Sequence, residues 1–269
     1  MKAEDRLEKV LSYVEDESEY TYKELGKLLG VSIMTVRRDA DRLVAKGGVI
    51  KTLGGIKKIS DPSNLYESPI LSRLSVNLKE KRLIAREALR GIQPGETIYL
   101  DGSSTCLQFA KLLTKEIAGL TVVTNSALAY LELVKNNENT IICIGGQHDF
   151  LSYSMVGSAT EREAQKYYFD KVFMSTKGFI PTEGTYESSV PTITIKQIVA
   201  KRCAELILLL DHTKFWQRAL QQVLDISQIH TLITDDGVSE EDIEVLKKKI
   251  GSVHVTSAMK NEPLEEATK

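Results

Sequence analysis

The chain has 269 residues, of which 42% are hydrophobic and 27% charged, with a formal net charge of -2. That is the composition of a globular protein with room for one large domain or two smaller ones. No apolar run nears the ~18 residues of a membrane helix, and "MKAEDRLEKVL" has acids where a signal peptide would be apolar, so a cytoplasmic protein without a membrane partner is expected.

The net charge hides an asymmetry. Residues 1–20 carry three basic and seven acidic side chains, residues 21–58 nine and three, and residues 59–269 carry 23 and 27. A basic island within an acidic chain points to a polyanionic partner for that island. "AEDRLEKVLSYVED" has Leu7, Val10, Leu11 and Val14 on one helical stripe. In "YTYKELGKLLG", Thr21 and Glu24 are spaced for a capping box. Leu25, Leu28 and Leu29 form a short apolar face, and Gly30 stops the helix. Ser32 caps a third helix, which completes a helix-turn-helix plan.

On a wheel of ~100° per residue, Ile33, Val36, Ala40, Leu43 and Val44 of the third helix gather on a core face. Met34, Thr35, Arg38 and Arg42 gather opposite. Arg37 falls on one flank, suited to a phosphate, and Asp39 on the other, where it can pair with Arg42. An outward arginine can make two hydrogen bonds to guanine in the major groove. In "GGVIKTLGGIKK", Val49-Ile50 and Lys51-Thr52-Leu53 read as two strands closing near Gly54-Gly55, a wing whose Lys51, Lys57 and Lys58 would touch phosphate. The DNA-contacting candidates are Thr21, Tyr22, Ser32, Met34, Thr35, Arg37, Arg38, Arg42, Lys51 and Lys57.

"KISDPSNLYESPIL" reads as a linker or an irregular crossing. The expected organisation is therefore a DNA-binding domain over residues 1–58, a linker over 59–76 and an α/β domain over 77–269. After the helical "NLKEKRLIAREALRGI" the chain alternates. Strand-like runs appear at "ETIYL", "LTVVT", "TIICIGG", "KVFMS", "ELILLLD", "HTLITD" and "SVHVTS". Helical segments include "STCLQFAKLLTKE", "ALAYLELVKNN", "TITIKQIVAKRCAE" and "SEEDIEVLKKKI". Short apolar strands separated by helices predict a largely parallel sheet covered on both faces.

Ligands of such sheets bind beyond the strands' carboxyl ends. Those ends here are Asp101-Gly102-Ser103-Ser104-Thr105, Thr124-Asn125-Ser126, Gly145-Gly146, Ser175-Thr176-Lys177-Gly178 and Asp211-His212-Thr213-Lys214. The first offers hydroxyls and amides at a helix start, where an anion is favoured, although a plain capped loop would look the same. With Lys196 and Lys214 it could surround a phosphorylated ligand. No nucleotide-binding fingerprint is present, so no cofactor is expected. Cys106, Cys143 and Cys203, and His148, His212, His230 and His254, lack metal spacing; the thiols read as free and buried, and His212 as structural.

The "VSxMTxRRDxxxL" run and the wing's Gly-Gly resemble the DNA-binding domain of the DeoR family of bacterial transcriptional regulators. "GETIYLDGSST", "VVTNS", "IICIGG", "FDKVFMSTKGF", "LILLLDHTKF" and "LITD" resemble its effector domain. The resemblance implies a small winged helix-turn-helix domain followed by a larger α/β domain similar to ribose-5-phosphate isomerase. It implies a repressor of carbohydrate-metabolism genes that binds operator DNA as a homo-dimer or tetramer, is not an enzyme, and responds to a sugar phosphate. The implied effector residues are Asp101 to Thr105, Thr124 to Ser126, Gly145, Gly146, Lys196, Asp211 and Lys214, to which Lys177 is added.

Three departures stand out. Leu53 replaces a polar or basic wing residue, and Lys177 and Thr192 stand where the family has acids. The last two leave Asp101 and Asp211 as the acids expected near the site, which argues for a more anionic ligand and against a sugar-phosphate isomerase or hydrolase with an accessory nucleic-acid module. An architectural DNA-binding protein whose second domain only oligomerises is a third reading.

Overall fold

The computed structural model describes residues 3–14, 20–46, 49–51, 54–58 and 68–257. The chain divides into two compact units, Met1–Pro62 with Leu71–Val76, and Ser63–Ile70 with Asn77–Lys269.

The first unit begins with α1 (Ala3–Tyr13), β1 (Tyr20–Thr21), α2 (Tyr22–Leu29) and α3 (Ile33–Lys46). Thr21 accepts from Glu24 N at 3.2 Å while Glu24 Oε2 accepts from Thr21 N at 2.8 Å, so the capping box forms. Gly30 ends α2 in the left-handed region at φ 65°, which lets the chain turn into α3 without the cost of a Cβ there. Ser32 caps α3 through Thr35 N at 3.2 Å. Leu7, Val10, Val14, Leu25, Leu29, Val36, Ala40 and Leu43 close over one another, joined by Val49 and Ile56 from β2 (Val49–Lys51) and β3 (Gly55–Lys58).

The wing differs from the expectation. Lys51, read as the start of the second strand, belongs to the first, and Gly55–Lys58 forms a strand paired with it; Thr52 lies outside the described residues. β3 lies between β2 and β1, antiparallel to both. Pairing with β1, 34 to 36 residues upstream, selects the later segment, and local patterning could not signal that. Leu53 lies outside the described residues.

A short helix, α4 (Ile70–Arg73), lies inside the expected linker and spans the division of the chain, with Ile70 in the second unit and Leu71–Arg73 in the first. Then follow α5 (Leu78–Leu89), β4 (Thr97–Leu100), α6 (Ser104–Glu116), β5 (Thr121–Thr124), α7 (Ala127–Leu133) and β6 (Thr140–Cys143). A hairpin, β7 (Gln147–Asp149) and β8 (Ser154–Val156), precedes α8 (Ser158–Ala164), β9 (Phe169–Met174), β10 (Gly178–Ile180) and β11 (Gly184–Glu187). The chain continues through α9 (Val190–Ala200), β12 (Cys203–Leu210), β13 (Gln221–Asp225), β14 (Thr231–Asp235), α10 (Glu240–Lys247) and β15 (Ser252–Thr256).

All seven expected strands join one parallel sheet, in the order β15-β14-β12-β9-β4-β5-β6. Alternate residues bury on opposite faces. Ile98, Leu100, Ile207 and Leu209 pack under α5, α6 and α7; Tyr99, Leu206, Leu208 and Leu210 pack under α8, α9 and α10. Burial on both faces is why these strands read as unbroken apolar runs. β10, β11 and β13 form a separate antiparallel sheet. The predicted helix at 192–205 is shortened, because Cys203-Ala204-Glu205 belong to β12.

A DNA-binding face and a site at the strand ends

On α3, Met34 is 63% exposed, Arg37, Arg38 and Arg42 are exposed, and Thr35 is half-buried, as the wheel places them. Two wheel assignments are corrected. Ile33 is 44% exposed, because it sits in the first turn, beyond the end of the core that covers Val36 and Ala40. Asp39 is buried, because Arg6 of α1 crosses to it with Nε at 2.5 Å from Oδ2 and Nη2 at 3.1 Å from Oδ1. That bidentate contact holds the Arg6 guanidinium above its ordinary pKa. The expected partner, Arg42, also pairs with Asp39, its Nη1 4.0 Å from Oδ1. Leu28, read as part of the α2 core face, is half exposed.

Thr21 and Ser32 spend their hydroxyls on the helix caps. Tyr22 is buried in the unit's core, and Arg37 Cζ lies 5.3 Å from its ring centroid. Lys51 and Lys57 belong to β2 and β3; their side chains and that of Lys58 lie outside the described part of the structure.

In the second unit the strand order departs from β4 in both directions, to β5-β6 and to β9-β12-β14-β15. The crevice beyond β4 and β9 is therefore the topological switch point, where such sheets bind ligands. Asp101, which follows β4, is buried there. Its Oδ1 accepts from Ser103 N at 2.9 Å and its Oδ2 from Ser175 N, after β9, at 3.1 Å. Lys196 Nζ, from α9, donates to Ser175 O at 2.7 Å, hydrogen-bonds Glu187, and lies 3.3 Å from Asp101 Oδ2. Burial alone would lower the Lys196 pKa, but Glu187 and Asp101 together raise it, so the ammonium stays charged. Its three N–H groups all have acceptors.

Glu187 corrects the expectation that only Asp101 and Asp211 supply acids near the site. It arrives on β11, part of a sheet that the sequence reading did not predict. Ser103 caps α6 through Cys106 N at 3.1 Å, and Ser104 and Thr105 are buried in its first turn. Gly102 packs against β8, so closely that an added Cβ would lie 2.0 Å from Ser154 Oγ. Cys106 beneath the loop has its thiol pushed well up by burial, with Asp101 adding to the shift. Cys143 and Cys203, expected to be buried, are half-buried; all three thiols are free.

Thr124 Oγ1 donates to Leu100 O at 2.8 Å and accepts from Ser126 N at 3.0 Å. Asn125 accepts from Tyr99 OH at 2.7 Å and donates to Met155 O at 2.8 Å, while Ser126 caps α7. These three residues hold the strand ends together. Gly145 O accepts from Thr160 Oγ1 at 3.0 Å, and Gly146 leads into β7. Lys177 and Lys214 are half-buried on the loops after β9 and β12.

Asp211 turns to the sheet's other face. Its Oδ1 accepts from Asn77 Nδ2 at 3.0 Å and from Thr213 N at 3.2 Å. His212 Nδ1 pairs with Asp235 Oδ2 at 2.6 Å, a structural contact. Among the described residues no cluster of ligating side chains could hold a metal ion, and no helix is long and apolar enough to cross a membrane.

Residues 6–61 match the model of the DeoR-like helix-turn-helix domain, and residues 76–236 that of the DeoR C-terminal sensor domain. The chain belongs to the DeoR family. This DeoR-family chain is 31% identical over 236 residues to the HTH-type transcriptional regulator GolR of Listeria innocua, covering 88% of itself and 92% of that protein. It is 30% identical to the HTH-type transcriptional regulator YulB of Bacillus subtilis, covering 93% and 95%, and 30% identical to the lactose phosphotransferase system repressor of Lactococcus lactis, covering 91% and 95%. Among solved structures, ribose 5-phosphate isomerase A from Methanocaldococcus jannaschii matches 52% of this chain and 55% of its own at 19% identity and a TM-score of 0.40. This DeoR-family chain is thus a DNA-binding transcriptional regulator with a C-terminal sensor domain for a small molecule, and not an enzyme.

Proposed function

We propose that this chain is a cytoplasmic repressor of carbohydrate-metabolism genes, relieved or reinforced by a phosphorylated sugar or related anion. The observation that carries the DNA half is the outward basic face of α3, with Arg38 and Arg42 exposed opposite a packed core face. In this reading residues 1–58 bind operator DNA, 59–76 link, and 77–269 bind the effector and assemble a dimer or tetramer. α3 enters the major groove, Arg38 and Arg42 with Met34 and Thr35 face base edges, Arg37, Lys51 and Lys57 serve the phosphate backbone, and Thr21 and Ser32, their hydroxyls used in caps, fix the starts of α2 and α3 beside it. A symmetric oligomer would present two such helices to paired half-sites.

The effector half rests on the switch-point crevice. There Gly102 to Thr105 offer the start of α6 to an anion, Lys177 and Lys214 supply positive charge, and Thr124 to Ser126, Gly145 and Gly146 form the walls. With its donors already satisfied, Lys196 fixes the Asp101 and Ser175 loops. Asp211 holds the loop that carries Lys214. The lactose phosphotransferase system repressor is named for a sugar system, which favours a carbohydrate-derived ligand.

The test is thermal unfolding of the full chain with a panel of sugars and sugar phosphates. A ligand at ~100 times its Kd adds ~2.7 kcal/mol and raises the Tm by several degrees. A shift with a phosphorylated sugar that its free sugar does not give, lost in Ser104→Asp, supports the reading. No shift across the panel would sink it and leave the sensor domain to another metabolite.

A further inference from the structure

The Tyr22–Arg37 contact gives the two neighbouring arginines of α3 different settings. Arg38 stands on the exposed face. Arg37 lies over the ring of Tyr22, its Cζ 5.3 Å from the centroid, inside the ~6 Å reach of a cation–π contact. Among the described residues no carboxylate pairs with Arg37, and a contact with a ring face uses no hydrogen-bond acceptor, so its five N–H donors stay available.

The ring itself is well anchored. Tyr22 is the first residue of α2, and its backbone N donates to Gly54 O in the wing at 3.0 Å. Thr21 before it caps α2 and pairs with Gly55 of β3. The tyrosine body is 9% exposed within the core of Leu25, Leu29 and Val36. The platform under Arg37 is thus fixed at once by the helix-turn-helix and by the wing.

We infer that Tyr22 is a positioning residue for DNA binding, which touches no DNA itself and holds the Arg37 guanidinium for a backbone phosphate of duplex DNA. The inference rests on α3 being the DNA-reading helix, as proposed above. A free arginine side chain loses rotamer freedom when it engages a phosphate. One already stacked on a rigid ring loses less, and its planar fork fits two phosphate oxygens.

The experiment titrates the full-length protein against a short fluorescein-labelled duplex of random sequence, by anisotropy at several salt concentrations. No operator or effector needs to be known. Arg37→Ala, at an exposed position, should weaken binding and lower the slope of log K against log salt by about one, the signature of a lost phosphate contact. Tyr22→Leu should weaken binding roughly two- to five-fold, the range of an exposed cation–π contact. Tyr22→Phe, which keeps the ring face, should match the parent. In the Arg37→Ala background Tyr22→Leu should cost nothing further, whereas a merely structural role would cost the same in both backgrounds.

If Tyr22→Leu fails to fold, Arg37→Lys carries the test. It keeps the charge but not the planar group, and should lose the same few-fold. An equal loss from Tyr22→Leu in both backgrounds, or Arg37→Lys or Arg37→Ala binding like the parent, overturns the inference. DNA affinity retained in Arg38→Ala and Arg42→Ala as well would instead overturn α3 as the reading helix.

Discussion

Asn77 Nδ2 donates to Asp211 Oδ1 at 3.0 Å and to Thr213 Oγ1 at 3.1 Å, which joins the first residue before α5 to the loop after β12, 134 residues later. Asn77 is held at φ 49°, a left-handed conformation that asparagine tolerates better than most residues. Asp211 is buried, and its Oδ2 has no partner among the described residues, so Oδ1 carries the group's satisfaction. Asn77→Gly keeps the backbone conformation and removes the side-chain donors. It should destabilise the second unit by about 1–3 kcal/mol, since a buried carboxylate loses a hydrogen bond. Asn77→Ala should cost about 1 kcal/mol more, for the left-handed backbone. Urea unfolding of the two variants separates the terms; a glycine variant as stable as the parent would show that the contact contributes nothing.

The large sheet was legible because its inner strands, β14, β12, β9, β4 and β5, are largely buried and so read as apolar runs, while the edge strands β6 and β15, only partly buried, still carry apolar residues between polar punctuation. The smaller sheet was not. Gly178–Ile180 and Gly184–Glu187 are short and glycine-bearing, and Gln221–Asp225 begins with two glutamines; their pairing is with one another, across up to 41 residues. Glu187 was missed with them, and with it the carboxylate that hydrogen-bonds Lys196. Asp39 shows the same limit in the first unit. A wheel gives its angle around α3 but cannot reveal that Arg6 arrives from α1 to bury it. The strand-end loops were found because small polar residues punctuate the ends of the apolar runs. Which face each loop turns to, Asp101 toward α9 and Asp211 toward α5, follows only from the folded register.

Lys196 should prove essential to the stability of the second unit. Asp101 and Glu187 are both nearly inaccessible, and Lys196→Met would remove the buried ammonium that both of them contact. The expected loss is about 3–5 kcal/mol, the usual cost of breaking a buried pair by removing one partner. The pH dependence has a definite sign. A lysine whose pKa is raised on folding contributes its full stability below a lysine's ordinary 10.5 and loses it as pH rises beyond that value. The difference between parent and variant should therefore hold from neutral pH to about 10 and shrink only in stronger alkali. Denaturant midpoints across that range check this; a difference that already vanishes near pH 8 would contradict the charge network.

Gly102 sits where the loop after β4 passes β8. A Cβ there would lie 2.0 Å from Ser154 Oγ and 3.2 Å from Ser154 Cβ. Gly102→Ala should lower stability by about 1–3 kcal/mol through overpacking. Because the closer atom is a side-chain oxygen, Ser154→Ala in the same background should recover part of that loss. Its own cost is small, since the Ser154 hydroxyl makes only a 3.3 Å bond to Ser152 O. Melting curves of the single and double variants decide it. Strictly additive effects would mean that the two side chains do not meet.

Arg6 and Asp39 together set how α3 sits on α1. Asp39 is 1% exposed, with Arg6 reaching both of its oxygens from 33 residues away, while Arg42 contributes only at 4.0 Å. Removing the arginine leaves a carboxylate inside the first unit's core, next to residues that carry the exposed basic face. Arg6→Ala should therefore lower the melting temperature of that unit and weaken binding to duplex DNA, although Arg6 is not among the residues proposed to touch it. Asp39→Asn removes the charge that needs compensation, so adding it to Arg6→Ala should restore much of the stability. Arg6→Lys should rescue less well, because an ammonium cannot reproduce the two-pronged contact. The readouts are circular dichroism melting and anisotropy on the same proteins. If Arg6→Ala melts like the parent yet binds DNA weakly, Arg6 itself is a DNA contact and the buried pair does not set the pose of α3.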